Sequence, residues 1–186
     1  MNVLILNGTP DYSYPGFDRY LGQYQLKLHH LGHYAKKFDL RDFEFSHPDT
    51  TFISGDFKYI LNSIKDADLL VFTSPFIRGR ISELTLTVQN GIAAYYQMQH
   101  KSNPVENYTR VKKIPLFGAI VMPENDSEEQ DILLSKLTQQ RIATDLKTQL
   151  SFFITSQDNF ARAIYETLQL IKYRDAYADV IVDSAY

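Results

Sequence analysis

Five short apolar runs, each followed by a stretch with helical spacing, constrain this chain more than any other feature. The runs are Val3-Leu4-Ile5-Leu6, His33 to Phe38, Leu69-Leu70-Val71-Phe72, Leu116 to Val121 and Phe152-Phe153-Ile154. After the first come Phe17, Tyr20, Leu21, Tyr24, Leu28 and Leu31 at helical spacing, closed by Gly32. The later helices are marked by Phe57, Ile60, Leu61 and Ile64, by Ser82 to about Tyr96, by a polar stretch from Ser127 to Leu146, and by Ala161, Ile164, Leu168 and Ile171. Apolar runs without alternation suit strands buried on both faces, and three-to-four spacing suits amphipathic helices. Strand and helix in alternation give a parallel sheet covered on both sides, and right-handed crossovers leave few topologies. The expected fold is α/β: a three-layer sandwich around a five-stranded parallel sheet of order 2-1-3-4-5.

A chain of 186 residues with 44% hydrophobic composition is long enough to bury one core, so residues 1–186 are expected to form a single domain. Residues 97–113, polar and containing Pro104, read as an exposed excursion. Residues 173–186 read as a tail or dimer-contact segment through Val180-Ile181-Val182. The absence of cysteine excludes disulfides, thiol catalysis and thiolate zinc sites. Met1-Asn2 leads straight into the first strand with no basic or long apolar leader, and no run approaches membrane-span length, so a cytoplasmic location is expected. A net charge of −3 argues against nucleic acid as a partner.

Three loops stand apart, and each follows a strand: Asn7-Gly8-Thr9-Pro10 continuing to Phe17, Ser74-Pro75-Phe76-Ile77-Arg78-Gly79, and Met122-Pro123-Glu124-Asn125. In the expected strand order they lie side by side at the edge where open α/β sheets bind ligands. The first loop enters a helix whose unpaired amides suit an anion without Lys or Arg, although any capped helix start would look similar. Asp11 and Asp18 oppose that use: two unit charges at roughly 4 Å cost about 4 kcal/mol at an effective dielectric near 20.

The second loop, followed by Ser82 and Leu84, resembles that of the NAD(P)H-dependent FMN reductases and quinone reductases of the flavodoxin-like superfamily. Asn7-Gly8-Thr9-Pro10, Phe17-Asp18-Arg19 and Asp39-Leu40-Arg41-Asp42 are similar to further segments of that family. The resemblance spans nearly the whole chain through short, moderately specific motifs. It implies an FMN cofactor with NAD(P)H as co-substrate, a quinone, flavin, nitro or azo acceptor, and a homodimer whose contact Tyr95 and Tyr96 would line, a core or surface role for the two tyrosines being the alternative. It places the phosphate on Thr9, Ser13, Tyr14, Gly16, Phe17 and Asp18. It places the ring against Pro75, Phe76, Ile77, Arg78 and Gly79, with Met122, Pro123 and Asn125 along the other edge.

The chain departs from the family where Ile77 and Arg78 replace an aromatic and where Met122-Pro123-Glu124-Asn125 replaces a glycine pair. An arginine beside the ring has a rationale in stabilising reduced flavin. Pro123 lacks an amide donor, which Asn125 is positioned to replace. No catalytic acid or base is assigned, because the cofactor performs the chemistry. A flavodoxin-type electron carrier and an interaction protein with a degenerate flavin site are the alternatives.

No metal site is expected. Gly32 interrupts the helix between His29, His30 and His33, and the acidic stretch Glu124 to Asp131 reads as a helix start rather than a cage. A nucleophile elbow is absent, and the acidic residues of a phosphoacceptor domain are missing.

Overall fold

The apolar runs become strands because their side chains fill both faces of one sheet. The computed structural model describes residues 1–45, 55–102, 115–156 and 160–183. Its strands are β1 (Asn2–Asn7), β2 (Tyr34–Asp39), β3 (Leu69–Ile77), β4 (Arg80–Ile81), β5 (Leu116–Met122) and β6 (Leu150–Thr155). Its α-helices are α1 (Pro15–His30), α2 (Gly55–Lys65), α3 (Glu83–Ser102), α4 (Glu129–Asp145) and α5 (Phe160–Asp183), with a short 3-10 helix at Leu40–Asp42. The sheet runs β2-β1-β3-β5-β6, all pairs parallel, which is the order expected from the alternation.

Successive strand residues point to opposite faces, so each run feeds two cores. Leu4, Leu6, Leu70, Phe72 and Phe117 pack with Ile60, Leu61 and Ile64 of α2, Val88 and Ile92 of α3, and Ile142 of α4. Val3, Ile5, Leu69, Val71, Ile120 and Ile154 pack with Phe17, Leu21, Tyr24 and Leu28 of α1 and Ala163 and Ile164 of α5. Each large side chain so buried contributes about 1.5–3 kcal/mol before the entropy of ordering is subtracted. This two-sided demand explains why the runs show no polar alternation.

The third strand departs from expectation. It was expected to end at Thr73, with Ser74–Gly79 as a loop, but β3 continues to Ile77 and turns back through Arg78-Gly79 into β4. Pro75 is tolerated because β1 stops opposite Thr73, leaving only β5 beside it, with Pro75 facing Met122. The hairpin adds a sixth strand to the five expected.

Two further boundaries move. α3 continues to Ser102 because nothing before Asn103-Pro104 breaks it, so only residues 103–113 of the expected excursion remain, and these lie outside the described residues. The backbone of α5 runs to Asp183, so most of the expected tail continues the last helix, where neither Gly nor Pro interrupts it. The expected packing of Val180-Ile181-Val182 falls on side chains outside the described residues. Among the described residues no helix is long and apolar enough to cross a membrane.

Candidate functional site

Gly8 ends β1 under the first turn of α3. A methyl group there would overlap the Thr85 hydroxyl, so only glycine allows this approach. Ser82, the residue before α3, uses the space. Its Oγ donates to the Gly8 carbonyl at 2.6 Å, lies 2.8 Å from Thr85 Oγ1 and accepts the Thr85 amide at 3.2 Å. Ser74 Oγ in turn accepts the Ser82 amide at 2.9 Å. Buried hydroxyls thus fasten the first loop to the hairpin.

The first loop is organised by Asn7. Its Oδ1 accepts the Thr9 hydroxyl at 2.7 Å and the Thr9 amide at 3.2 Å, while Nδ2 donates to Asp18 at 3.0 Å and Asp39 at 2.7 Å. Asp18 also accepts from Arg41 Nη2 at 3.1 Å, and Arg41 Nη1 donates to the Asp11 carbonyl at 2.6 Å. Lys37 pairs with Asp39 at 3.0 Å. Asp11 accepts the Ser13 amide at 2.8 Å, and that bond holds its carboxyl below the usual range. Tyr14 precedes α1 without a side-chain cap, and Pro15 at the first helical position has no amide hydrogen to satisfy. The α3 and α4 starts are capped, by Ser82 and by the reciprocal Glu128–Asp131 box. The acidic stretch is therefore a helix start, and among the described residues no metal-holding cluster of three His, Cys, Asp or Glu occurs.

The hairpin turn meets the third loop. Arg78 and Gly79 both adopt positive φ, 55° and 72°, as a tight two-residue turn requires. The Gly79 amide donates to Glu124 Oε2 at 3.3 Å. Burial, together with the charges of Asp11 and Glu124, holds the Tyr14 phenol above its usual pKa, and Tyr14 and Met122 pack on the same core. All three loops therefore converge.

Side-chain direction divides the residues selected from sequence. Ser13 and Gly16 are exposed and Tyr14 half-buried, at the rim of the first loop. Thr9 is fully buried with its hydroxyl on Asn7, and Phe17 is a core residue of α1. Asp18 is held by Asn7 and Arg41. In the hairpin, Pro75 and Phe76 are buried, and Phe76 packs with Ile81 and Val121; Ile77, Arg78 and Gly79 form the accessible tip. Met122 is half-buried, Pro123 buried and Asn125 exposed. Sequence reasoning placed Ser82 after the second loop and Glu124 in the third without giving either a role, and did not bring Ser127 or Arg41 to this edge. The Ser82–Thr85 spacing is a capping signal that marks the first of them. Two buried polar atoms here have no partner, Ser127 Oγ and Arg41 Nε.

No family model and no curated protein matches the chain. Solved structures do. An oxidoreductase from Corynebacterium diphtheriae aligns at TM-score 0.56 and 13% identity, over 93% of this chain and 98% of that one. An FMN-dependent NADH-azoreductase from Bacillus anthracis, solved in complex with FMN, aligns at 0.51 and 15% identity, over 96% and 99%. A flavone reductase aligns at 0.61 and 14% identity over 96% of this chain, which spans 59% of its length. The chain has the flavodoxin-like fold. Identities this low show the fold alone. In flavodoxin-like terms, the tied loops occupy the carboxyl edge of the three adjacent strands β1, β3 and β5.

Proposed function

We propose that this chain is an FMN-dependent oxidoreductase that uses NAD(P)H to reduce a small quinone, flavin, nitro or azo acceptor in the cytoplasm. The observation that carries the reading is the convergence of the β1, β3 and β5 loops around the uncapped start of α1. Solved neighbours that include an FMN-dependent azoreductase and a flavone reductase support it.

The donor set fits a phosphate at the rim of the first loop. There the Ser13 and Tyr14 hydroxyls and the Gly16 amide would hold it, aided by the positive end of α1. The Ile77-Arg78-Gly79 tip and the Pro123–Asn125 segment would flank a planar ring. Thr9, Phe17, Pro75 and Phe76 would shape this surface from beneath, and Asp18 through its ties to Asn7 and Arg41. Arg78, exposed on the hairpin turn, would supply a cation to the ring edge. An FMN held there would supply the hydride-transfer chemistry between reduced nicotinamide and a second substrate. The protein's part is to orient the ring and set its electrostatics, so no side chain is assigned as a proton donor.

A degenerate site is the second reading. It is favoured by the Asp11 carboxylate on the Ser13 amide and by the Thr9 hydroxyl engaged on Asn7. Titration of FMN, followed by flavin fluorescence, separates the two. Saturable binding, with NADH or NADPH oxidation that depends on FMN and menadione, supports the oxidoreductase. A folded protein with no affinity for FMN removes it.

A further inference from the structure

We propose that Arg41 is a positioning residue for an anionic phosphate at the β1–α1 loop, acting by neutralising Asp18 and fastening the loop backbone. This rests on the flavin reading above. The obstacle to an anion at this loop is the local charge, since Asp11 lies in it and Asp18 in the first turn of α1. Arg41 reaches in from the 3-10 helix after β2, a separate element. It spans both ends of the loop, with Nη1 on the Asp11 carbonyl and Nη2 on the Asp18 carboxylate.

Asp18 is thereby doubly engaged, its other oxygen accepting from Asn7. The Arg41 side chain is only 10% exposed, and its guanidinium lies 4.0 Å from the centre of the Tyr12 ring, so the charge is screened little by water. Burial works against the cation, but Asp18 and Asp39 more than offset it and hold the guanidinium protonated.

The donors are not exhausted: Nε is buried without a partner. The guanidinium thus serves one carboxylate oxygen, one carbonyl and a ring face, and cancels the charge of Asp18. Lys37 already serves Asp39, so it does not duplicate this role. Without Arg41 the Asp18 carboxylate would stand against an incoming dianion with no cation paired to it.

FMN and riboflavin differ only in the phosphate, so the ratio of their affinities isolates this effect from general damage. Dissociation constants for both flavins would be measured in wild type, Arg41→Gln, Arg41→Lys and the double variant Asp18→Asn/Arg41→Gln. Arg41→Gln should weaken FMN by about tenfold while riboflavin changes by no more than about twofold. Arg41→Lys should recover part of the loss, and the double variant should recover most of it because the repelling carboxylate is gone. Equal weakening of both flavins, or an unchanged ratio, overturns the inference and leaves the flavin reading standing. Wild-type protein that binds neither flavin overturns both.

Discussion

Tyr24 shows how one buried group couples packing to pH. It is fully buried on α1 and its hydroxyl lies 2.6 Å from Thr167 Oγ1 on α5. Thr167 gives its own proton to the Ala163 carbonyl at 2.8 Å, so the phenol is the donor between the helices. Burial pushes the phenol far above its usual pKa, and Thr167 offsets only part of that. The folded chain keeps this proton, whereas the unfolded chain loses it near the ordinary value of about 10. Its contribution is therefore whole below that pH and declines as pH rises beyond it. Tyr24→Phe should cost about 1 kcal/mol at neutral pH through the lost bond. The deficit should shrink and then reverse in urea melts above about pH 10. A deficit that stays constant across the alkaline range would show that Tyr24 ionises freely in the folded state. Sequence spacing placed Tyr24 on the buried face of α1, but nothing in the pattern revealed Thr167 as its partner, since they lie 143 positions apart.

At the scale of elements, α4 turns two polar residues inward beside Ile142 and Ala143. Ser135 and Gln139 point inward, while Leu133, Leu134 and Leu137 stand 57%, 62% and 51% exposed on the opposite side. The inward amides are satisfied by a reciprocal pair: Gln89 on α3 donates to Gln139 at 2.7 Å, and Gln139 donates back at 3.2 Å. A pair buried this way loses more when one member is removed than when both are. Gln139→Leu alone should destabilise by about 1–3 kcal/mol by stranding the Gln89 amide, and Gln89→Leu/Gln139→Leu should recover much of that. Additive losses in the double variant would mean that the two amides do not depend on one another. The helix was visible in sequence by length and lack of breakers, but its polarity was not, because the pattern says which residues share a face and not which face turns inward. The same limit hid the β3–β4 hairpin. Pro75 reads as a stop, and Arg-Gly is a weaker turn signal than Asn-Gly, since a non-glycine residue at positive φ is uncommon.

For the whole molecule, strand order and loop convergence were legible because they follow from apolar runs and the handedness of crossovers. The chemistry of the edge was only half legible. Thr9, Phe17, Pro75 and Phe76 have residue types a flavin site uses, yet tertiary packing turns them inward. The surface through which two copies would meet is a similar case. The family resemblance pointed to Tyr95 and Tyr96, but both are partly buried against the core between the sheet and α2, α3 and α4. The outward leucines of α4 offer more apolar area, and α3 beside them adds exposed Asn90 and Ala94. Glu128, Glu129 and Asp131 mark one end of α4, whereas its last turn carries Asp145 and no basic residue. Packing two α4 helices together about a two-fold axis would bury these leucines against one another. A stable pair needs about 800 Å² from each copy. Wild type should sediment as a dimer at micromolar concentration, and Leu134→Glu/Leu137→Glu should sediment as a folded monomer with little change in helix content. Tyr96→Ala should instead lower the melting temperature, since it removes core packing rather than contact area. A wild-type chain that stays monomeric as concentration rises would leave the α4 leucines without a second copy to bury them.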